Sequence, residues 1–195
     1  MFLRRKFFRV KDCFALLGVP QRPLLDEKGL KSAYFRLAAE CHPDAEGGDT
    51  DKFRELQEAY QTLKDPVFRL RHLAGVVFDS LGDSSRPSPQ SDLFLQVGQV
   101  LQATKAFRLR REKSQSALAR AVMISEGVKV REELGAVTEA VEQALREARV
   151  ALGLLDKRWP RVAPEELLTL ASGWRYLTRW QTELSGAEFG LMLEA

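Results

Sequence analysis

The stretch from Leu30 to Leu63 reads LKSAYFRLAAECHPDAEGGDTDKFRELQEAYQTL, and it decides how the N-terminal part of the chain folds. Before His42-Pro43-Asp44, the residues Leu30, Ala33, Tyr34, Leu37, Ala38 and Cys41 recur at steps of three and four, which places them on one helical face. After it, Phe53, Leu56, Ala59, Tyr60 and Leu63 repeat the pattern. Between the two faces, His42 to Asp51 carries proline, Gly47-Gly48 and aspartates, which stop one helix and start the next. The spacing predicts an antiparallel helical hairpin with a rigid polar tip.

Working outward, Cys13-Phe14-Ala15-Leu16-Leu17-Gly18-Val19 resembles the opening D-Y-x-x-L-G-V of J domains. The segment Ala33 to Ala38 followed by His42-Pro43-Asp44 resembles their second helix and loop, and Phe53 to Leu63 resembles their third helix. Three blocks in this order and spacing are far more specific than the tripeptide alone. The next segment, Leu63-Lys64-Asp65-Pro66-Val67-Phe68-Arg69-Leu70-Arg71-His72-Leu73, is similar to the junction of HscB-type co-chaperones. Ser91-Asp92-Leu93-Phe94-Leu95 resembles the start of the bundle in that family, and Trp174 to Trp180 resembles a block in its last helix. The resemblance is weakest between Ala103 and Pro164.

The expected fold class is all-α, an N-terminal J domain followed by a C-terminal three-helix bundle. Residues 1–10 form a basic extension, 11–78 the J domain, 79–91 a linker rich in Gly, Ser and Pro, and 92–195 the bundle. Its first helix starts near Asp92, with a stripe at Leu93, Val97, Val100, Thr104 and Phe107. The second reads from Val130 through Leu134, Val137, Val141, Ala144, Ala148, Leu152 and Leu155, close to a heptad seam. The third begins at Pro164-Glu165-Glu166, where proline suits the first helical position and acids suit the positive end of the helix dipole. Its stripe runs Leu167, Leu170, Ala171, Trp174, Leu177 and Leu184. Because the stripes on both sides of the linker are complete, each half is expected to fold by itself.

Composition narrows the function classes. A chain of 195 residues with 45% hydrophobic and 29% charged residues is ordinary for a globular protein. No apolar run approaches the length of a membrane span. A net charge of +3 is too small to indicate nucleic acid, and the basic run Arg108 to Lys113 lacks interleaved aromatics and reads as a polar turn or solvated face. The N-terminal basic segment lacks the long apolar core of a secretory signal. Cytoplasm is the expected location, without nucleic-acid or membrane partners. Cys13 and Cys41 lack metal-ligand spacing, and Cys41 reads as a small buried apolar residue. With two histidines, no nucleophile motif and no phosphate-binding glycine loop, an enzyme is not expected, nor is a cofactor or metal.

The resemblance implies a partner of the DnaK type, whose ATP hydrolysis the J domain stimulates through His42, Pro43 and Asp44. The residue types suit that task. Pro43 presets φ and so limits the entropy lost on docking. Asp44 is an acceptor-only carboxylate able to take two hydrogen bonds from a partner arginine, and His42 offers a donor and an acceptor. Lys28, Lys31 and Arg36 are the expected chaperone-steering cations, although Phe35 and Glu40 stand where many J domains carry basic residues.

The bundle is expected to bind the client, for which the resemblance implies an iron–sulfur scaffold protein. At about 100° per residue, Leu95 falls opposite the first stripe, and Tyr176 and Trp180 fall away from the third. Leu95 and Tyr176 also match client-contacting positions in the family. The expected client face is Leu95, Gln96, Gln99, Tyr176 and Trp180. Gln96 and Gln99 depart from the apolar residues the family carries there, and Val100, Ala103 and Phe107 replace its acids. A J-domain adaptor for a different client is therefore the second expectation.

Overall fold

The structure, a computed structural model, describes residues 11–44, 47–78, 91–114 and 116–193. The basic extension and nearly all of the expected linker lie outside the described residues. Among the described residues the regular structure is helical: α1 (Cys13–Leu17), α2 (Glu27–Glu40), α3 (Thr50–Lys64), α4 (Pro66–Phe78), α5 (Ser91–Lys113), α6 (Ala117–Arg158) and α7 (Pro164–Leu193). The chain divides into two compact units, residues 1–84 with 151–171 and residues 85–150 with 172–195.

In the first unit, short polar side chains set the helix starts. Asp12 accepts from the N–H groups of Phe14 (2.9 Å) and Ala15 (3.2 Å), Asp26 from Lys28 and Gly29, Asp49 from Lys52, and Asp65 from Val67 (2.7 Å) and Phe68. Each satisfies donors that have no partner inside the helix, worth about 1 kcal/mol apiece. Gly18 closes α1 in the left-handed region at φ 64°, a conformation that favours glycine. Tyr34 stacks on Tyr60 at 4.5 Å, and His42 meets Phe53 edge-on at 5.3 Å. Pairing an earlier residue of α2 with a later one of α3 means the two helices run antiparallel, as expected. Phe14, Leu17, Leu30, Leu56, Leu63, Leu70 and Leu73 fill the core, each buried side chain contributing about 2 kcal/mol of apolar transfer.

Two polar groups tie this unit together. Arg69 is buried, yet its Nε donates to the Pro23 carbonyl (2.9 Å) and its Nη1 to the Leu63 carbonyl (2.7 Å) near the end of α3. His72 Nε2 accepts from the Cys13 N–H (3.0 Å), and its ring stacks on Phe14. Burial pushes the His72 imidazole below its ordinary pKa of 6.5, against an opposing pull from Asp12. The unfolded chain therefore takes up a proton before the folded one does. This contribution to stability is complete above about pH 6.5 and is lost as the pH falls below it. Protonation of Nε2 also removes the acceptor for Cys13. The urea midpoint should drop between about pH 7.5 and about pH 5.5, and His72→Gln should flatten that part of the profile. An unchanged pH slope in the variant would exclude His72 as the cause.

The division between the units differs from the expected boundary at residue 92, because residues 151–171 group with the first unit. The reason is polar as well as apolar. Asp156 accepts from Arg22 Nη2 (2.7 Å), Arg22 Nε (3.2 Å) and the Leu24 N–H (3.2 Å), while Trp159 meets Phe78 edge-on. Arg158 also forks onto Glu166, whose carboxylate accepts from the Ala163 N–H at the start of α7.

In the second unit, α5 buries the expected Val97, Val100, Thr104 and Phe107, and α6 buries Val130, Leu134, Val141, Leu145 and Ala148. α7 adds Trp174, Leu177, Trp180, Leu184 and Leu191. Thr138 Oγ1 donates to Glu188, and Arg131 donates to the Leu191 carbonyl, linking α6 to α7. The second bundle helix begins at Ala117 rather than Val130. Leu118, Val122, Ile124 and Val128 are exposed, so the large apolar residues described in this first part do not continue the inward stripe that periodicity detects from Val130. Arg108 to Lys113 belong to α5, where the cations suit the negative end of the helix dipole.

Candidate chaperone-docking loop and client face

α2 ends because Pro43 cannot continue the hydrogen-bond ladder. Cys41, the last residue of the apolar face, is buried, and its thiol donates to the Leu37 carbonyl at 3.2 Å. The Asp49 N–H donates to the Cys41 carbonyl (3.2 Å), drawing the start of α3 back to the end of α2. Within the tip, His42 Nδ1 accepts from the Asp44 N–H at 3.2 Å. In that bond Nδ1 is the acceptor, and Nε2 is the ring nitrogen left for a partner. The bond also fixes the backbone that carries the Asp44 carboxylate.

The Asp44 side chain is 91% exposed, against 48% for His42. The loop thus presents an open carboxylate beside an imidazole that is half covered by Phe53. Phe53 was not among the residues singled out for the site. Its place on the apolar face of α3 hid a second role, holding the His42 ring on edge.

Lys28, Lys31 and Arg36 are exposed on α2. Lys28, Lys31 and Phe35 stand three and four residues apart and share one face. Phe35 is exposed, and the Lys31 ammonium lies 5.8 Å from its ring centroid. A cation–π contact of this kind contributes about 0.5–1 kcal/mol at an exposed site. The face is therefore mixed, with a cation and an aromatic ring offered together.

On the second unit, Leu95 and Tyr176 are 59% and 46% exposed, and Gln96 and Gln99 are exposed. Trp180 is not part of that open face; it is 5% exposed. It lies three residues after Leu177 and four before Leu184, both buried, so it shares their inward face. Its ring instead underlies the patch, 6.0 Å from Tyr176 on the same helix and 6.0 Å from Phe94 on α5. Phe94 is 58% exposed and was missed, although it stands beside Leu95 in the same block. The solvent-facing groups are Phe94, Leu95 and Tyr176, with Trp180 as their support. Arg179, next to Tyr176 on the helix surface, pairs with Glu183 at 2.8 Å.

Among the described residues no cluster of His, Cys, Asp and Glu has a metal-holding arrangement, and no helix is long and apolar enough to cross a membrane.

Comparison with known proteins agrees with this geometry. The family profile of the DnaJ domain matches residues 12–72. The chain is 42% identical over 65 residues to the chaperone protein DnaJ of Synechococcus elongatus, covering 32% of this chain and 22% of that protein. It is 51% identical over 62 residues to the chaperone protein DnaJ of Hyphomonas neptunium, covering 30% and 16%. The chain thus spans about a fifth of the length of the curated relatives it matches. Among solved structures, the chaperone HscB from Vibrio cholerae superposes with a TM-score of 0.61 at 18% identity, over 93% of this chain and 99% of that one. Residues 12–72 are a DnaJ domain, and the fold of the chain is that of HscB.

Proposed function

We propose that this chain, a DnaJ domain joined to an HscB-like helical region, is a co-chaperone that stimulates ATP hydrolysis by a DnaK-type chaperone and presents a client to it. The observation that carries the reading is the His42-Pro43-Asp44 tip. Its carboxylate is open to solvent on a backbone already held by His42 and by the Asp49–Cys41 bond. A preset loop loses little entropy on docking, and an open carboxylate can accept a forked arginine. Lys28, Lys31 and Arg36 supply the charge that speeds encounter with an acidic chaperone face. Titrating the full chain into a DnaK-type chaperone should raise its steady-state ATP turnover saturably. A flat titration overturns the proposal. We place the protein in the cytoplasm, where Cys13 and Cys41 would remain thiols.

The HscB-like architecture supports an iron–sulfur scaffold as the client. Phe94, Leu95 and Tyr176 supply the apolar anchors for such a partner. The double variant Leu95→Ala/Tyr176→Ala should weaken scaffold binding by well over about 1 kcal/mol, as aromatic anchors at interface centres do. Its stability should change little, because truncating exposed side chains opens no cavity. Isothermal titration and thermal melts read the two effects separately, and undiminished binding would remove the patch from the interface. A second reading, an adaptor for another client, is favoured by the exposed Gln96 and Gln99 and by the arginine beside Tyr176. Failure of the wild-type chain to bind a scaffold would select it.

A further inference from the structure

The second unit holds an open-mouthed cavity of about 160 Å³ between the C-terminal half of α5 and the N-terminal part of α6. Its floor is Phe107 and Gly127. A Cβ on Gly127 would stand 2.9 Å from Phe107 Cζ, so only glycine lets α6 approach the ring this closely. Glycine inside a helix costs about 1 kcal/mol relative to alanine, and here the close approach is what it provides. Ile124 and Val128 form the wall, 67% and 48% exposed, and Arg111 and Arg131 stand at the rim. An apolar cavity of about 150 Å³ accommodates a benzene ring, so this one takes a single aromatic or leucine side chain.

The cavity lining carries two cations, Arg111 and Arg131, and, among the described residues, no acid. Arg110 is held by Glu126 and Lys129 by Glu133, whereas Arg111 and Arg131 form no ion pair with an acid among the described residues; Arg131 spends one Nη2 donor on the Leu191 carbonyl and keeps its others. A second copy of this chain would bring the same cations to the mouth and be repelled. A bilayer offers a broad surface, and the feature here is a hole one side chain deep. A segment that carries carboxylates around one bulky apolar residue fits both the charge and the volume.

We propose that this cavity is a docking site for an acidic segment of a partner protein, with one bulky apolar side chain seated between Phe107, Gly127 and Val128 and carboxylates on Arg111 and Arg131. It is distinct from the Phe94–Leu95 region, which lies roughly 20 Å away along α5 at 1.5 Å per residue. It does not depend on the chaperone reading.

The test uses the full chain and a fluorescent short peptide of glutamate and alanine with one central phenylalanine. Saturable binding is expected, weakened by salt, with shifts of the Ile124 and Val128 methyl resonances. Replacing the central phenylalanine by alanine should cost about tenfold, as loss of an interface anchor does. Val128→Glu, and separately Arg111→Glu with Arg131→Gln, should each cost at least about fivefold while helicity is retained, because these side chains are not in the core and glutamine keeps a donor for the Leu191 carbonyl. No saturable binding up to millimolar peptide would overturn the proposal. So would equal affinity for the phenylalanine and alanine peptides, or undiminished binding by Val128→Glu. Tighter, Val128-dependent binding to phosphatidylserine vesicles would reassign the site to a membrane. Val128-dependent self-association by sedimentation would reassign it to a second copy.

Discussion

Asp44→Asn is expected to bring the stimulated ATP turnover of a DnaK-type chaperone down to its basal rate. The Asp44 side chain is almost fully exposed, so its carboxylate contributes nothing to the core and its replacement leaves the fold intact. The amide keeps the shape but offers one acceptor oxygen without charge, and a charge-assisted fork to arginine is roughly twice as strong as a neutral bond. His42→Gln should act in the same direction by a different route. It replaces the rigid ring that holds the Asp44 N–H and rests on Phe53 by a flexible amide with no aromatic contact. Circular dichroism should show unchanged helicity in both variants, which separates loss of docking from loss of fold. If either variant stimulates the chaperone as well as the wild type does, the co-chaperone assignment fails.

Arg69→Met should destabilise the first unit by about 3 kcal/mol, read as a lower urea midpoint with little change in slope. Methionine fills part of the space but leaves the carbonyls of Pro23 and Leu63 without the donors they now have. It also removes the cation that Glu27, Asp65 and Asp156 face, whose attraction opposes the lowering of the Arg69 pKa by burial. Arg69→Lys should recover little, because a single ammonium does not reproduce the guanidinium fork that spans two carbonyls. A loss within about 0.5 kcal/mol would mean that water replaces both bonds.

The hairpin around His42-Pro43-Asp44 was legible because it is local. Steps of three and four, a proline stop and Asp caps act within a few residues, so the sequence specifies α2, the tip and α3 without knowledge of the rest. The stripes of α5, α7 and the later part of α6 were legible for the same reason. The start of α6 was not, since its large apolar residues Leu118, Val122 and Ile124 are exposed and form no inward stripe continuous with Val130 and Leu134.

What the sequence by itself determined is the helical class, the DnaJ domain with its tip residues, and the outward direction of Leu95 and Tyr176. Only the tertiary structure decided that Trp180 supports the patch from within, that Phe94 joins it, and that residues 151–171 group with the first unit. It alone showed that Arg69 and His72 are internal ties rather than solvated residues of α4. The physical reason is distance along the chain. Arg22 meets Asp156, and Phe94 meets Trp180, through contacts that no helical period encodes. A periodicity reports which way a side chain points, while the partner waiting there is set by the packing of segments far apart in sequence.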